Sequence, residues 1–454
     1  MKVLNIFLLV VMFCVSNVSL IAQETAGLIF GQFNGLNATM INPAFAFNSP
    51  NKWDVRVAGA HAYLQTDYAY INRSNLIRTL NNLDELSEQI NPEDNLPNNG
   101  DLVTIYKTDN SNSYAHSKAE VLGPGIMFNL NPKTKFGLSI KSRAFAAVAN
   151  IPNAFNYYEI NANLVGVTYD SQKLSGASAA WTDIEILAAH QFTNKIAGGL
   201  KLKYNVGVGG LYFGTDQDFS YSSPDLETIN ATSSGTFSFS EASFDTDGMF
   251  GNGAGMDIGL TIRNIFNQTN QLGISIIDIG YTNFDSRDTK YVFDQNLSLN
   301  RADYESIRSI SALSNRLETD FTVEERKDIL KIYHPSALSI QYSHTINEKI
   351  KVEGALTQRI KLGANQIARS NSLLLAGVYD TKHFSAFLPF SIINYKRINP
   401  GLAFRVFFLT IGSDDLLSLF GKQRFNGTDL YVNIRVYPFQ RNSKNDKSVN
   451  CYNF

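Results

Sequence analysis

The chain has 454 residues, 44% of them hydrophobic, and a formal charge of −2 from 39 Lys and Arg against 41 Asp and Glu. That balance gives no electrostatic basis for nucleic-acid binding, and a mean hydropathy of −0.13 is too low for a bundle of membrane-spanning helices. Only 2 cysteines occur, Cys14 and Cys451, and Cys14 falls in the leader, so no internal disulfide can hold the exported chain.

Lys2 precedes an apolar run from Val3 to Val18, and Ala22 with Gln23 forms a cleavage junction. Residues 1–22 therefore read as a signal peptide for Sec export to the outer membrane of a Gram-negative cell. A retained membrane anchor is the rival, but the run is short and leads straight into polar chain. Cys14 lacks the neighbours of a lipoprotein anchor. No later segment holds 18 consecutive apolar residues.

Residues 23–52 form an N-terminal lead-in that is too polar and too rich in Gly and Asn to span a membrane. At its centre stand Asn42, Pro43 and Ala44. Pro43 has no N–H and confines Asn42 to extended geometry. Two readings fit: a plug within the lumen, or an ordinary periplasmic lead-in.

From residue 53 to 439 the pattern becomes one of strands. Apolar and polar residues alternate over residues 53–63, 136–144, 196–208, 256–263, 338–346, 349–362, 402–408 and 430–439. Period two puts one set on each face of a sheet. In residues 273–279 the adjacent Ile276 and Ile277 break the alternation, which predicts a bulge. Short polar turns at 131–134, 193–195, 267–270, 347–349 and 380–382 alternate with long connections at 65–120, 149–180, 214–250 and 284–334. Tight turns at one end and long loops at the other are the rule of outer-membrane barrels. The expected fold class is therefore all-β, a single antiparallel transmembrane β-barrel of about 14 strands with an N-terminal plug and helical loop insertions. Turn counting alone gives 13, and residues 155–168 are the uncertain strand. Helical spacing recurs in residues 74–90 and 301–332. A polar tail, residues 440–454, follows Phe439.

Nothing in the chain assembles a catalytic or metal site. His61, His116, His190, His334, His344 and His383 are scattered without metal-ligand spacing. Ser343 and His344 are adjacent on a strand and point to opposite faces. Gly251 to Gly255 leads into a strand rather than a helix, so it is not a dinucleotide loop. Asp245, Asp247 and Asp257 lack the spacing of a calcium loop. No cofactor and no enzyme activity are expected.

The polar face carries one sign in excess. Arg56, Lys141, Arg143, Lys201, Lys203, Arg263, Lys351, Arg359, Arg405 and Arg435 fall on the lumen side, against Asp54, Asp257 and Glu353. Such a wall favours anionic solutes; alternatively its bases bind lipid phosphates or plug carboxylates.

Asn42-Pro43-Ala44 before the first strand resembles the long-chain fatty-acid transporter superfamily of outer-membrane barrels and the Bacteroidetes barrels associated with type IX secretion and gliding. Residues 253–259, G-A-G-M-D-I-G, resemble a strand opening common in those barrels, and residues 409–420 resemble the C-terminal region of an uncharacterised family among them. The resemblance implies 14 strands, a luminal hatch and a hydrophobic substrate. Only Asn42, Pro43 and Ala44 carry across residue by residue. Passive uptake of a small hydrophobic or amphipathic solute is the leading expectation. A non-transporting subunit of a secretion or surface-assembly complex is the alternative. Expected partners are outer-membrane lipid and lipopolysaccharide, a small hydrophobic ligand and secretion-complex proteins.

Overall fold

The computed structural model describes residues 25–82, 104–106, 112–152, 168–170, 173–215, 220–222, 225, 228–240, 251–265, 269–284, 289–300, 324–393, 397–421 and 424–438. The signal peptide, Asp245, Asp247, Phe439 and the polar tail lie outside them.

Fourteen strands close into a ring. They are β1 (Trp53–Thr66), β2 (Asn112–Asn131), β3 (Thr134–Pro152), β4 (Ser175–Gln191), β5 (Ile196–Thr215), β6 (Gly251–Arg263) and β7 (Asn270–Phe284). The circuit continues through β8 (Ala337–Thr345), β9 (Ile350–Arg359), β10 (Ser372–Asp380), β11 (Phe384–Ile393), β12 (Leu402–Val406), β13 (Leu409–Ser413) and β14 (Gly427–Val436). Each pairs antiparallel with its neighbours, and β14 returns to β1 in a register running from Val55↔Val436 to Gln65↔Gly427. Closure leaves this ring no unpaired edge.

The faces are inverted relative to a water-soluble sheet. On β5, Leu202 is 51% exposed while the neighbouring Lys203 is 4% exposed. Ile184, Ile186, Ile258, Val352, Leu388 and Ile434 likewise point outward, and Arg56, Asp183, Lys201 and Arg435 inward. An apolar outer surface around a charged interior is the pattern of a barrel solvated by lipid.

Six short connections (131–134, 191–196, 263–270, 345–350, 380–384 and 406–409) gather at one end. The sixth explains the count of 13. It turns at Phe407-Phe408, with Phe407 at φ +51°, so no Gly, Asn or Asp marks the reversal that starts β13. At the other end the long connections are not simply loops. Thr228–Phe239, Thr289–Asn300, Glu324–Lys327 and Leu330–Tyr333 extend the sheet, the last pairing with β7. The expected helix over 301–332 is corrected to strand at Glu324–Lys327 and at Leu330–Tyr333; residues 301–323 lie outside the described part. In the 74–90 stretch the described helix is Leu76–Asn81, capped by Asn75. Of residues 155–168 only Thr168 is described.

Two irregularities shape the lumen. Between β6 and β7 the register passes from Met256↔Ile279 to Ile258↔Ile276. Asp257 therefore faces two residues, Ile277 and Asp278, and Asp278 takes φ +56°. This is the bulge anticipated at Ile276-Ile277, and it turns the Asp278 carboxylate into the barrel. On β2, pairing with β3 skips from Leu122↔Lys141 to Gly125↔Ser139. Pro124 has no N–H for the ladder. The Arg56 side chain fills the gap, donating from Nε to the Gly123 carbonyl at 2.9 Å and from Nη2 to the Ile140 carbonyl at 3.3 Å.

Candidate functional site

The lumen is occupied by residues 25–51, which precede β1. They form helices Ala26–Ile29 and Gly35–Ala38 and a 3-10 helix Pro43–Asn48. Ala26, Leu28, Ile29, Phe30, Ile41 and Phe45 pack with Leu374, Val378, Phe387 and Tyr431 of the wall. Such short helices leave most of their backbone groups without internal partners, and the wall supplies the rest.

Wall acids take plug N–H groups. Asp414 Oδ2 accepts from Ala26 at 2.8 Å, Glu353 Oε2 from Gly31 at 2.6 Å, Asp380 Oδ2 from Gln32 at 2.7 Å and Asp54 Oδ1 from Leu36 at 3.3 Å. Wall bases take plug carbonyls. Lys201 donates to Thr39 at 3.1 Å, Arg263 to Phe47 at 2.7 Å, Lys135 to Ser49 at 2.8 Å, and Arg435 to Phe33. The luminal charges are thus matched to a backbone rather than exposed to a channel, and charged partners make these bonds strong.

Asn42-Pro43-Ala44 sits at the tightest contact. Asn42 is extended, at φ −153°, and its Oδ1 accepts from Ala44 N–H at 3.0 Å to start the 3-10 helix. Its Nδ2 donates to the Leu260 carbonyl at 3.2 Å and to Gln341 Oε1 at 2.9 Å. The wall opposite is glycine. A Cβ at Gly199 would lie 2.5 Å from Ala44 N and 2.8 Å from Pro43 Cβ, and one at Gly259 would overlap the Asn42 amide. Gly199 and Gly259 are cross-strand partners on β5 and β6, so two missing side chains make one seat.

All ten bases named from the sequence have inward positions. Arg56, Lys141, Arg143, Lys201, Lys203, Lys351, Arg405 and Arg435 are buried, and Arg263 and Arg359 are half-buried. The tally of acids needs correction. Beyond Asp54, Asp257 and Glu353, the buried acids include Glu120, Asp183, Glu185, Asp278, Asp380, Asp414 and Asp429. Asp183 and Glu185 alternate with apolar residues on β4, a signal present in the sequence; Asp278 depends on the bulge, Asp380 ends β10, and Asp414 directly follows β13.

These acids pair with the bases. Asp278 joins Arg143 at 2.8 Å, Lys203 at 2.7 Å and Arg369 at 3.0 Å. Arg143 also meets Asp183 at 2.6 Å, Lys203 meets Asp257 at 2.6 Å, and Lys141 meets Glu185 at 3.4 Å. Arg405 meets Asp380 at 3.1 Å, and Arg435 meets Asp54 at 3.0 Å. Beside this network an aromatic stack forms: the Arg143 guanidinium lies 4.9 Å from the Trp181 ring, which stacks on His334 at 4.6 Å.

Between plug helix Ala26–Ile29 and the β9–β10 connection lies a cavity of about 60 Å³. Ile29, Met40, Tyr63 and Phe145 give it apolar walls, and Lys118 and Arg369 give it charge. Elsewhere, His344 Nδ1 lies 2.6 Å from Asn270 Oδ1, while Ser343 bonds Glu353 at 3.0 Å. Among the described residues no three His, Cys, Asp or Glu side chains come together as a metal site.

A family profile matches residues 43–414, from the plug motif to the end of β13. The chain belongs to the DUF5723 family, a family of unknown function. No curated protein matches it. Among solved structures, the DUF5723 chain is similar to the Ralstonia pickettii toluene transporter TbuX, at 10% identity over 88% of this chain and 92% of that one, with a TM-score of 0.33. It is similar to the P. putida toluene transporter TodX at 10% identity over 90% and 95%, TM-score 0.38. It is also similar to a Pseudomonas aeruginosa FadL homologue at 10% identity over 92% and 98%, TM-score 0.24. The barrel assignment for the DUF5723 chain stands on its own strand pairing.

Proposed function

We propose that this DUF5723 chain is a non-enzymatic outer-membrane barrel for passive uptake of a small hydrophobic or amphipathic solute, with residues 25–51 as its plug. The observation that carries the reading is the cavity directly against plug helix Ala26–Ile29, with apolar walls and charged side chains together. A small site of mixed lining between the N-terminal segment and the wall suits a solute with an apolar body and a polar end. The apolar outer wall supports membrane residence, and the long-loop end, where the cavity lies, faces outward in such barrels. Asn42, Pro43 and Ala44 then hold the plug to the wall, and the luminal bases hold its carbonyls.

Proteoliposomes containing the purified barrel test this. Uptake of decanoate above that of empty vesicles, with glucose excluded, is the expected result; deleting residues 27–49 should admit glucose. If decanoate flux equals that of empty vesicles, the uptake reading fails. If the deletion leaves glucose excluded, residues 27–49 are not the plug.

A second reading, an accessory barrel of a secretion or surface-assembly complex, is favoured by the many charged bonds holding the plug. A stoichiometric partner recovered from native outer membrane, with no flux in vesicles, would establish it over the first.

A further inference from the structure

We propose that the cavity beside helix Ala26–Ile29 is a binding site for a small oxyanion, the carboxylate or phosphate group of its ligand. This deepens the uptake reading and rests on it only for the route of the solute, not for binding.

The first observation is a pair of orphaned polar groups. His116 is 7% exposed and Ser370 1% exposed, yet His116 Nε2 and Ser370 Oγ have no hydrogen-bond partner among the described residues. Both side chains line the cavity. Buried polar groups are almost always paired, so two on one small cavity mark a place where a partner belongs. Each can donate a hydrogen bond, Nε2 in the appropriate tautomer.

Charge is the second observation. Lys118, Lys141, Arg143 and Arg369 line the same space against Glu120 and Asp278. Those two acids are already committed. Glu120 bonds Lys118 at 2.9 Å and stands 3.5 Å from His61, and Asp278 is shared by Arg143, Lys203 and Arg369. Lys141 and Arg143 are also paired, with Glu185 at 3.4 Å and Asp183 at 2.6 Å, but among the lining side chains four bases face two acids, so a cation entering the cavity would be repelled. An acceptor-rich anion satisfies both the orphaned donors and the excess charge.

Size is the third. A water needs roughly 10–15 Å³ of such volume, so about 60 Å³ holds a few waters or one carboxylate or phosphate group. A long apolar body would have to extend past Ile29, Met40 and Tyr63.

The chain supplies its own reporter. It has 2 tryptophans, Trp53 and Trp181, and Trp181 lies against Arg143. In a Trp53→Phe background, the full barrel in a non-ionic detergent is titrated with sodium phosphate and sodium acetate, with sodium chloride holding ionic strength constant. Octyl phosphate and decanoate serve as amphiphilic probes. The expected result is a saturable fluorescence change with oxyanions and none with chloride, weakened at least tenfold in Ser370→Ala and in His116→Leu. Ser370→Ala removes one oxygen and keeps the test open should His116→Leu fail to fold, which circular dichroism reads. Tighter binding of the amphiphiles assigns the group to the head of an amphipathic solute; equal binding assigns it to a free anion. Flat titrations with all four oxyanions, or unchanged curves in Ser370→Ala, overturn the site. Binding without vesicle uptake keeps the site and rejects transport; uptake without binding does the reverse.

Discussion

The Asn42 amide nitrogen donates to the Gln341 side-chain oxygen at 2.9 Å, joining plug to wall across 299 residues of sequence. Gln341 Nε2 passes the chain to Ser275 Oγ at 3.0 Å, and Ser275 returns it to the Ile41 carbonyl at 2.6 Å. Asn42→Ala cuts this loop and removes the cap of the 3-10 helix. It leaves a buried acceptor unpaired, at a cost of about 1–3 kcal/mol. Hydrogen exchange should quicken at residues 42–48 and stay unchanged in β5 and β6; equal protection in the variant would show that the loop adds nothing.

Gly199→Val should dislodge the plug without opening the wall. Its side chain would occupy the space of Pro43 and Ala44, and overpacking of this kind costs roughly 1–3 kcal/mol. The expected sign is faster proteolysis within residues 25–51 with the β circular dichroism intact. Wild-type resistance would mean the plug can shift to accommodate it.

Asp278 neutralises three bases from a bulge, so Asp278→Asn should be more damaging than its size suggests. Breaking a buried pair typically costs about 3–5 kcal/mol, because the surviving charges lose compensation. The thermal unfolding midpoint should drop sharply, and a second change, Arg369→Gln, should recover part of the loss. A midpoint within error of wild type in Asp278→Asn contradicts the hub role.

Arg56→Lys should fail to replace Arg56. The guanidinium reaches the carbonyls of Gly123 and Ile140 on two strands at once, whereas an ammonium is a single point of contact. One carbonyl left bare within the wall costs about 1–3 kcal/mol. Amide exchange in β2 and β3 around residues 122–125 and 139–141 reads the effect, and lysine behaving as arginine would dismiss it.

His334 makes stability depend on pH. It lies outside the spanning strands, and burial first, then the Arg143 guanidinium, hold its pKa well below the ordinary 6.5, with Asp278 opposing and Lys203 and Lys141 adding. The folded state then binds fewer protons than the unfolded one, so the contribution is present above pH 6.5 and is lost as pH falls toward the depressed value. Between pH 7.5 and 5.5 the thermal midpoint should fall, and fall less in His334→Gln. An identical slope in both proteins would assign the effect elsewhere.

The barrel was legible because lipid imposes a strict demand: β5 must alternate, and Leu200 to Asn205 do so without exception. The ends of the pattern were harder. Phe407-Phe408 reverses the chain with two bulky residues, which no turn preference announces, so the start of β13 is hidden in the pattern of β12. The inward bases could be read from parity alone. Some of their partners could be read the same way, as Asp54, Asp257, Asp183 and Glu185 show, but Asp278 could not, because it reaches the lumen only through an extra residue in β7. Asn42 stood out from Pro43, but its glycine seat is assembled from β5 and β6, about 60 residues apart, and pairing alone brings Gly199 beside Gly259.

The last strand also ties closure of the ring to the seating of the plug. Arg435 on β14 bridges to Asp54 on β1 and bonds the plug at Phe33, and Tyr431 on the same strand accepts from Gly27 at 3.0 Å. Without β14 the sheet would have two open edges and the plug would lack these bonds on that side. Sealing the wall and holding the plug therefore share these few residues, and a defect in them should weaken both together.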